Sequence, residues 1–437
     1  MSPERRKRNI LIEEITKIEG NAGLEVAIED GTVEYVRFMI RDYRRFFTMA
    51  VRSKRMAAVP SFLSRICGTC SVAHLFASLM AIESSQEIEV SEQTKALRRL
   101  AYDGLMIRDH ALHLYFFVLP DLLGVDSIFD ISDDPNDPGY TLLRDSFDVK
   151  RLGTDISNAV AGAAIHAPLP TIGGMLRTPD PAKFPDLIER LEAVRPQVLR
   201  AIRTFSEWDT SLVRNSDYLC LRNEDRFDFL EGDIVNSNGR RVSSEEFTDY
   251  LQYVQIPYSH AEGYRFSDTD EDYLVGALAR LNLNLDLLHP RTKADSAPYL
   301  SAFPSDNIYH NNLAQAVEIL QCVDEAIDIL RNIRISDEKP VRKPPRAGVG
   351  MGVIEAPRGL LYHMARVNEA GIVEDYDVIV PTSQNQINIE NDLKDYFERN
   401  LDKSEEALRL DAESIVRAYD PCMSCATNFL KIDWIRK

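Results

Sequence analysis

The chain has 437 residues and a formal net charge of −18, with 44% apolar and 27% charged residues. That length supports a large buried core, and the acidic balance argues against a nucleic-acid partner, because phosphate backbones require concentrated positive charge. No apolar run reaches bilayer-spanning length, and the N-terminal MSPERRKRNILIEEI lacks the apolar stretch and cleavage site of a secretory signal. Six cysteines in so long a chain are expected as reduced thiols in the cytoplasm rather than as a secreted disulfide framework.

In chain order, the basic cluster Arg5–Arg8 reads as a solvated arm, and ILIEEIT, LEVAIED and VEYVRFMI read as strands with an Asp30-Gly31 hairpin turn. After Pro60 the apolar spacing turns helical, over 71–85 and again from about 91 to 118. The stretch Ser132–Tyr140 predicts a surface loop, followed by a helix near 150–165 and a Pro/Gly turn, PLPTIGGM. A long helix is expected from Pro181 and Phe184 to about 206, a mixed section over 215–268, and an amphipathic helix over 309–335. KPVRKPPRAGVGMGVIEAPRG then leads into strands near 348–356, 362–367 and 376–381, and helices near 389–399 and 403–418. With no internal repeat and no convincing linker, the chain is expected to form a single domain over 1–437. The fold class is mainly α with peripheral β, an α+β fold around long central helices.

Two Cys-x-x-C pairs carry the chemistry, Cys67/Cys70 in RICGTCSVAH and Cys422/Cys425 in DPCMSCATN. Four thiolates select soft or borderline metals such as iron, nickel, copper or zinc over magnesium or calcium. A structural zinc site is the simplest reading of paired Cys-x-x-C motifs. Zinc ribbons, however, place their pairs within a few tens of residues, whereas these lie at opposite ends of the chain, each opening a helix-like segment. A redox pair would explain one motif and leave the other.

Arg65-Ile-Cys67-Gly68-x-Cys70-x-x-x-His74, with Asp420-Pro421-Cys422-x-x-Cys425, resembles the signature pair of the large subunit of nickel–iron hydrogenases. Further stretches agree in order: Lys17-Ile18-Glu19-Gly20-Asn21; His110 and His113 in a helix ending at Pro120-Asp121; and Ala161-Gly162 through His166 to Gly173-Gly174. Glu355-Ala356-Pro357-Arg358-Gly359 and Val380-Pro381-Thr382-Ser383-x-Asn385 complete the series. The RRFF approach to the first motif is most similar to the cytosolic, bidirectional or cofactor-coupled branch.

The resemblance implies nickel held by all four thiolates, with Cys67 and Cys422 terminal and Cys70 and Cys425 bridging to an iron carrying carbon monoxide and two cyanides. It implies reversible oxidation of dihydrogen, with Glu19 relaying protons beside Cys422. Arg358, next to Pro357, would lie over the diatomic ligands, held by Asp121 and Asp420. Thr382 or Ser383 would add a hydroxyl donor to cyanide, and His74 would hydrogen-bond a bridging cysteine. His110, His113, His166 and His363 are expected as structural polar contacts, and Cys220 and Cys322 as plain thiols. Lacking further cysteine clusters for iron–sulfur relays, the chain would pass electrons to a small iron–sulfur subunit and further electron-transfer subunits.

The sequence departs from the family pattern around a structural magnesium. Thr48 stands where an acid is usual, and Asn428 where the family has a His or Arg, so the magnesium site is expected to be altered or absent. Family members are commonly trimmed after that His or Arg; here FLKIDWIRK follows Asn428. The rival readings are a hydrogenase-derived electron- or proton-coupling scaffold without hydrogen turnover, and a zinc-stabilised interaction protein.

Overall fold

The computed structural model describes residues 7–427, so Asn428, the tail beyond it and the first half of the basic arm lie outside the described residues. Strands Lys7–Ile12, Ala22–Glu29 and Thr32–Ile40 pair antiparallel in sequence order. Asp30 and Gly31 take φ of 49° and 80°, the left-handed pair of a tight hairpin. Alternation on the middle strand turns Leu24, Val26 and Ile28 into the core while Glu25 stays half-buried.

The long helices Glu92–Leu112, Pro138–Ala161, Phe184–Ser206 and His310–Asn332 pack into a central bundle. The first two cross with their backbones in contact. A Cβ at Gly104 would lie 2.7 Å from Gly153 O, and one at Gly153 2.7 Å from Gly104 O. Beyond Leu112 the chain continues as a wider π turn, His113–Val118, a departure that often marks functional positions.

A second antiparallel sheet, Gly348–Ala356, Gly359–Val367 and Val373–Ile379, lies on the Ser71–Ser85 helix. Gly348, Gly350 and Gly352 alternate on the face toward that helix. A Cβ at Gly350 would meet Ala81 O at 2.3 Å, and one at Gly352 would meet Ala77 O at 2.0 Å. Only bare backbone fits so close to the helix that Cys70 opens. The middle section is mixed, as expected, and includes a hairpin of Leu251–Val254 with Gly263–Phe266. Among the described residues no helix is long and apolar enough to cross a membrane.

Two helices begin earlier than their apolar spacing predicts. The helix expected near 150 starts at Pro138, and Asp137 caps it by accepting from Gly139 N–H at 2.7 Å. The Asp-Pro-Gly read as the end of a loop is thus a helix start, since proline suits the first helical position. The helix expected at 389 starts at Pro381. Its first turns bury Thr382, Ser383, Gln384, Asn385 and Gln386, so the apolar period is broken where the helix meets polar backbone.

Candidate metal centre

The two ends of the chain meet through backbone before they meet through sulfur. Glu19 and Cys422 form an isolated parallel bridge, and Met423 N–H donates to Glu19 O at 2.9 Å. Arg45 fastens both cysteine loops at once, donating to Ile66 O at 2.7 Å and to Ser424 O at 2.8 Å. Cys70 immediately precedes the Ser71–Ser85 helix, and Cys422 precedes the short Met423–Ala426 turn. The result is four buried Sγ atoms within 4.8 Å of one another. Cys70 and Cys425 are 3.0 Å apart, Cys422 and Cys425 3.0 Å, and Cys67 and Cys422 3.5 Å.

Hydrogen bonds from Cys422, Cys425 and Cys70 hold the Cys67 thiol well below the usual range. Hydrogen bonds with Cys422 and Cys425 favour the Cys70 thiolate, but its bond to Cys67 and burial outweigh them and lift it to about 11. Burial pushes Cys422 and Cys425 well up. Four thiols cannot all ionise in so small a dry volume without a cation, and a bound metal removes their protons outright.

Glu19 closes one side of the cage. Cys422 Sγ donates to its Oε2 at 3.0 Å, Ser424 N–H donates to the same oxygen at 3.1 Å, and the Ser424 hydroxyl donates to Oε1. Burial and the Cys67 charge raise the Glu19 carboxyl, opposed by those hydrogen bonds. On another side, His74 Nε2 lies 3.5 Å from Cys425 Sγ, and its Nδ1 is 3.1 Å from His363 Nε2, whose Nδ1 reaches the Tyr376 hydroxyl at 2.8 Å. Burial lowers His74 to about 4 and holds His363 well below its ordinary value, so both rings are neutral. A thiolate only accepts. His74 therefore carries its proton on Nε2, and each ring accepts at Nδ1 from the next donor outward.

Arg358 is buried, donating to Asp109, to Asp420 Oδ1 at 2.8 Å and to Asp420 O at 3.1 Å. Gln315 donates to Asp420 Oδ2 at 2.8 Å, and His113 links Gln315 Oε1 at 2.6 Å to Arg417 O at 2.7 Å. Thr382 Oγ1 accepts from Cys422 N–H at 2.9 Å. Pro357 O accepts from Arg280 Nη2 at 3.1 Å, and that guanidinium is wholly buried between Glu318 and Glu355.

Asp121 is not beside Arg358. It bridges Lys17 Nζ at 2.7 Å and Arg417 Nε at 2.5 Å, while Arg417 also donates to Thr16 O at 2.9 Å. The carboxylate expected over the canopy is instead Asp109, twelve positions earlier in sequence and on the inner face of the Glu92–Leu112 helix. Asp121 lies past the π turn, at the Leu119–Leu123 helix, where it meets Lys17 and Arg417 beside the loop that bears Glu19. The triplet Arg108-Asp109-His110 carried the only sequence signal for this, two charges beside the expected His110. Arg45 and Ser424 carried none, because their partners are backbone atoms and a residue far away in sequence. His110 pairs with Glu318 at 2.9 Å, His166 N–H donates to Ser71 Oγ at 3.1 Å, and Cys220 and Cys322 are buried thiols away from the cluster.

The donor set suits a soft metal. Two buried polar atoms on residues adjoining the cage, Asp109 Oδ2 and Ser383 Oγ, have no hydrogen-bond partner. Buried polar atoms are nearly always paired, and the Ser383 hydroxyl, next to Thr382 that contacts Cys422 N–H, would suit an acceptor group held at the cage, which a bare tetrathiolate zinc site would not supply.

Comparison with known proteins agrees with this geometry. The profile of the nickel-dependent hydrogenase family matches residues 45–138 and 303–428. The chain is 30% identical to sulfhydrogenase 1 subunit alpha of Pyrococcus furiosus, over 97% of this chain and 98% of that protein. It is 26% identical to the beta subunit of the NAD-reducing hydrogenase HoxS of Cupriavidus necator, over 97% and 95%. The crystal structure of an NAD+-reducing [NiFe]-hydrogenase in the H2-reduced state superposes with a TM-score of 0.84 at 25% identity, covering 96% of this chain and 99% of that one. With a profile spanning both cysteine motifs and full-length relatives sharing the fold, the chain belongs to the nickel-dependent hydrogenase family.

Proposed function

We propose that this chain is the catalytic subunit in which dihydrogen is reversibly split into two protons and two electrons. The observation that carries the reading is one carboxyl, Glu19, hydrogen-bonded at 3.0 Å to one sulfur of a buried four-cysteine cage. Cys67, Cys70, Cys422 and Cys425 would together hold nickel, and Cys70 and Cys425 would be shared with an iron carrying one carbon monoxide and two cyanides. When bound, this pair supplies the redox and Lewis-acid chemistry that parts dihydrogen heterolytically.

The chain's own residues then manage protons and ligands. Glu19 receives a proton on the Cys422 side and hands it toward Ser424, whose hydroxyl and N–H already hold its two oxygens. Arg358, its charge fixed by Asp109 and Asp420, would donate to the cyanide ligands of the group when it is bound. Thr382 or Ser383 would supply a second donor to cyanide: the Ser383 hydroxyl has no partner among the described residues, and Thr382 Oγ1, although it accepts from Cys422 N–H, keeps its own proton to donate. The magnesium site of the family is altered or absent here, with Thr48 buried in a short helix at the expected position. The meeting of both chain ends at one cage supports a single unit over 1–437. Electrons leave through a small iron–sulfur subunit and on to further electron-transfer subunits in the cytoplasm, in keeping with the multisubunit relatives.

Infrared spectroscopy tests the reading. The matured protein should show one carbonyl and two cyanide stretching bands, with nickel and iron in one-to-one stoichiometry. Matured protein without those bands would refute it, and zinc in their place would favour the interaction-protein alternative.

A further inference from the structure

Behind Cys425 stand three buried rings, His74, His363 and Tyr376. His74 lies in the first turn of the Ser71–Ser85 helix, and His363 at the middle of the Gly359–Val367 strand, opposite Gly352. Since Gly352 puts bare backbone against Ala77 O, the sheet sits close enough to bring the two imidazoles ring to ring, with centroids 5.3 Å apart. Tyr376, on the next strand, pairs with Ala365, which shares a face with His363. That diagonal position sets its ring edge-on to His363 at 5.6 Å.

Each ring nitrogen has a partner. Cys425 Sγ lies 3.5 Å from His74 Nε2, His74 Nδ1 3.1 Å from His363 Nε2, and His363 Nδ1 2.8 Å from the Tyr376 hydroxyl. Among the described residues no carboxylate hydrogen-bonds either imidazole, and the charged groups that face His74 are Cys67 and Arg45. Two neutral rings carry one N–H each, so the three bonds must all run in the same direction. A thiolate only accepts, and a loaded cage is a cage of thiolates. The bonds then run inward, from Tyr376 O–H to His363, from His363 Nε2–H to His74, and from His74 Nε2–H to the sulfur. Hydrogen bonds aligned head to tail polarise one another, so the donor at the sulfur is strengthened by the two behind it. On the other side of the cage Cys422 meets a carboxyl, Glu19.

We propose that His363 and Tyr376 are positioning residues for the sulfur chemistry of this centre. By filling the Nδ1 lone pairs they hold His74 as a one-way donor to Cys425. The two cysteines of one motif are thereby kept unequal: Cys425 is committed to accepting an N–H, and the proton leaves on the Cys422 side, where Glu19 takes it. This assignment rests on reading the cage as a nickel–iron centre.

Two measurements keep the assignment and that reading apart. In the full chain, labelled with nitrogen-15 histidine and loaded with zinc, the four sulfurs are likewise deprotonated. His74 and His363 should both carry their protons on Nε2, with a nitrogen–nitrogen coupling across the bond from His363 Nε2 to His74 Nδ1. A proton on Nδ1 of either ring, or no coupling, overturns the proposal, and this parental protein decides the case even where a buried substitution fails to fold. In the matured protein, a weaker donor at Cys425 leaves that sulfur a stronger electron donor to iron. The carbonyl stretching band should therefore move to lower frequency in His363→Leu, and less far in the same direction in Tyr376→Phe. His363→Gln, whose amide N–H can donate to His74 Nδ1, should return the band to its parental position. Unshifted bands in the Leu and Phe variants, or a Gln variant shifted as far as the Leu variant, overturn the proposal. Parental protein lacking carbonyl and cyanide bands sinks the nickel–iron reading instead, and the zinc-loaded chain still judges the relay.

Discussion

Glu19 and Cys422 are joined twice, by a parallel backbone bridge and by the Cys422 Sγ hydrogen bond to Glu19 Oε2 at 3.0 Å. The backbone link fixes where the carboxyl starts, and the side-chain link fixes where it ends, so its distance to the sulfur is set from both directions. Loop residues acting as proton carriers need such over-determination, because a misplacement of about 1 Å costs on the order of 10²-fold in rate.

Glu19→Gln keeps the shape and one oxygen that can accept from Ser424, losing one of the two bonds that Ser424 donates to the carboxylate, and cannot carry a proton. Hydrogen oxidation is expected to fall by about 10² to 10⁴-fold, with metal content and infrared bands unchanged. A variant retaining more than a tenth of parental turnover would remove Glu19 from the proton route.

Asp109 and Asp121 separate two roles that the sequence placed together. Asp109→Asn leaves Arg358 with Asp420 as its only carboxylate partner among the described residues; breaking such a buried pair costs about 3–5 kcal/mol, and the cyanide bands should shift. Asp121→Asn loosens Lys17 and Arg417, and through Thr16 O the loop that bears Glu19. There turnover should drop while the cyanide bands stay in place. Identical spectral responses from the two variants would contradict the assignment.

Gly352→Ala places a methyl 2.0 Å from Ala77 O. The strand must lift from the Ser71–Ser85 helix, at a cost of about 1–3 kcal/mol or more. Because Cys70 caps that helix, the variant should also bind nickel less completely. Urea unfolding and metal analysis of the same preparation check both effects together.

Glu390 accepts from Phe38 N–H at 3.0 Å and meets the Tyr258 hydroxyl at 2.8 Å, and burial pushes its carboxyl from 4.5 up to about 7. A raised carboxyl stabilises the fold in its neutral form, so its contribution is complete below about pH 4.5 and is lost as pH rises through about 7. Glu390→Gln holds the neutral shape at every pH. Its stability relative to the parent should grow between pH 5.5 and 8.5, by about 1–3 kcal/mol, as read from urea midpoints across that range. A pH-independent difference would exclude this carboxyl as the source.

The sequence alone determined whatever is written in local period or in residue chemistry. Alternation and the Asp30-Gly31 turn specified the first hairpin, three- and four-residue spacing specified the long helices, and four cysteines in two pairs specified a soft-metal cage. Glu19, Arg358 and Asp420 were legible because each stands in a short recognisable stretch. Only the tertiary structure decided which acid faces Arg358. Asp109 and Asp121 lie on the same helical stretch but twelve positions apart, and only the packed structure shows which of them faces Arg358 and which faces Lys17 and Arg417. It also decided that Pro381 starts a helix, because the polar side chains of its first turns are satisfied by distant backbone atoms, Leu360 O, Val275 O and Phe38 O. Arg45 has the same origin: a cation that clamps two carbonyls can be recognised only when both loops are in place.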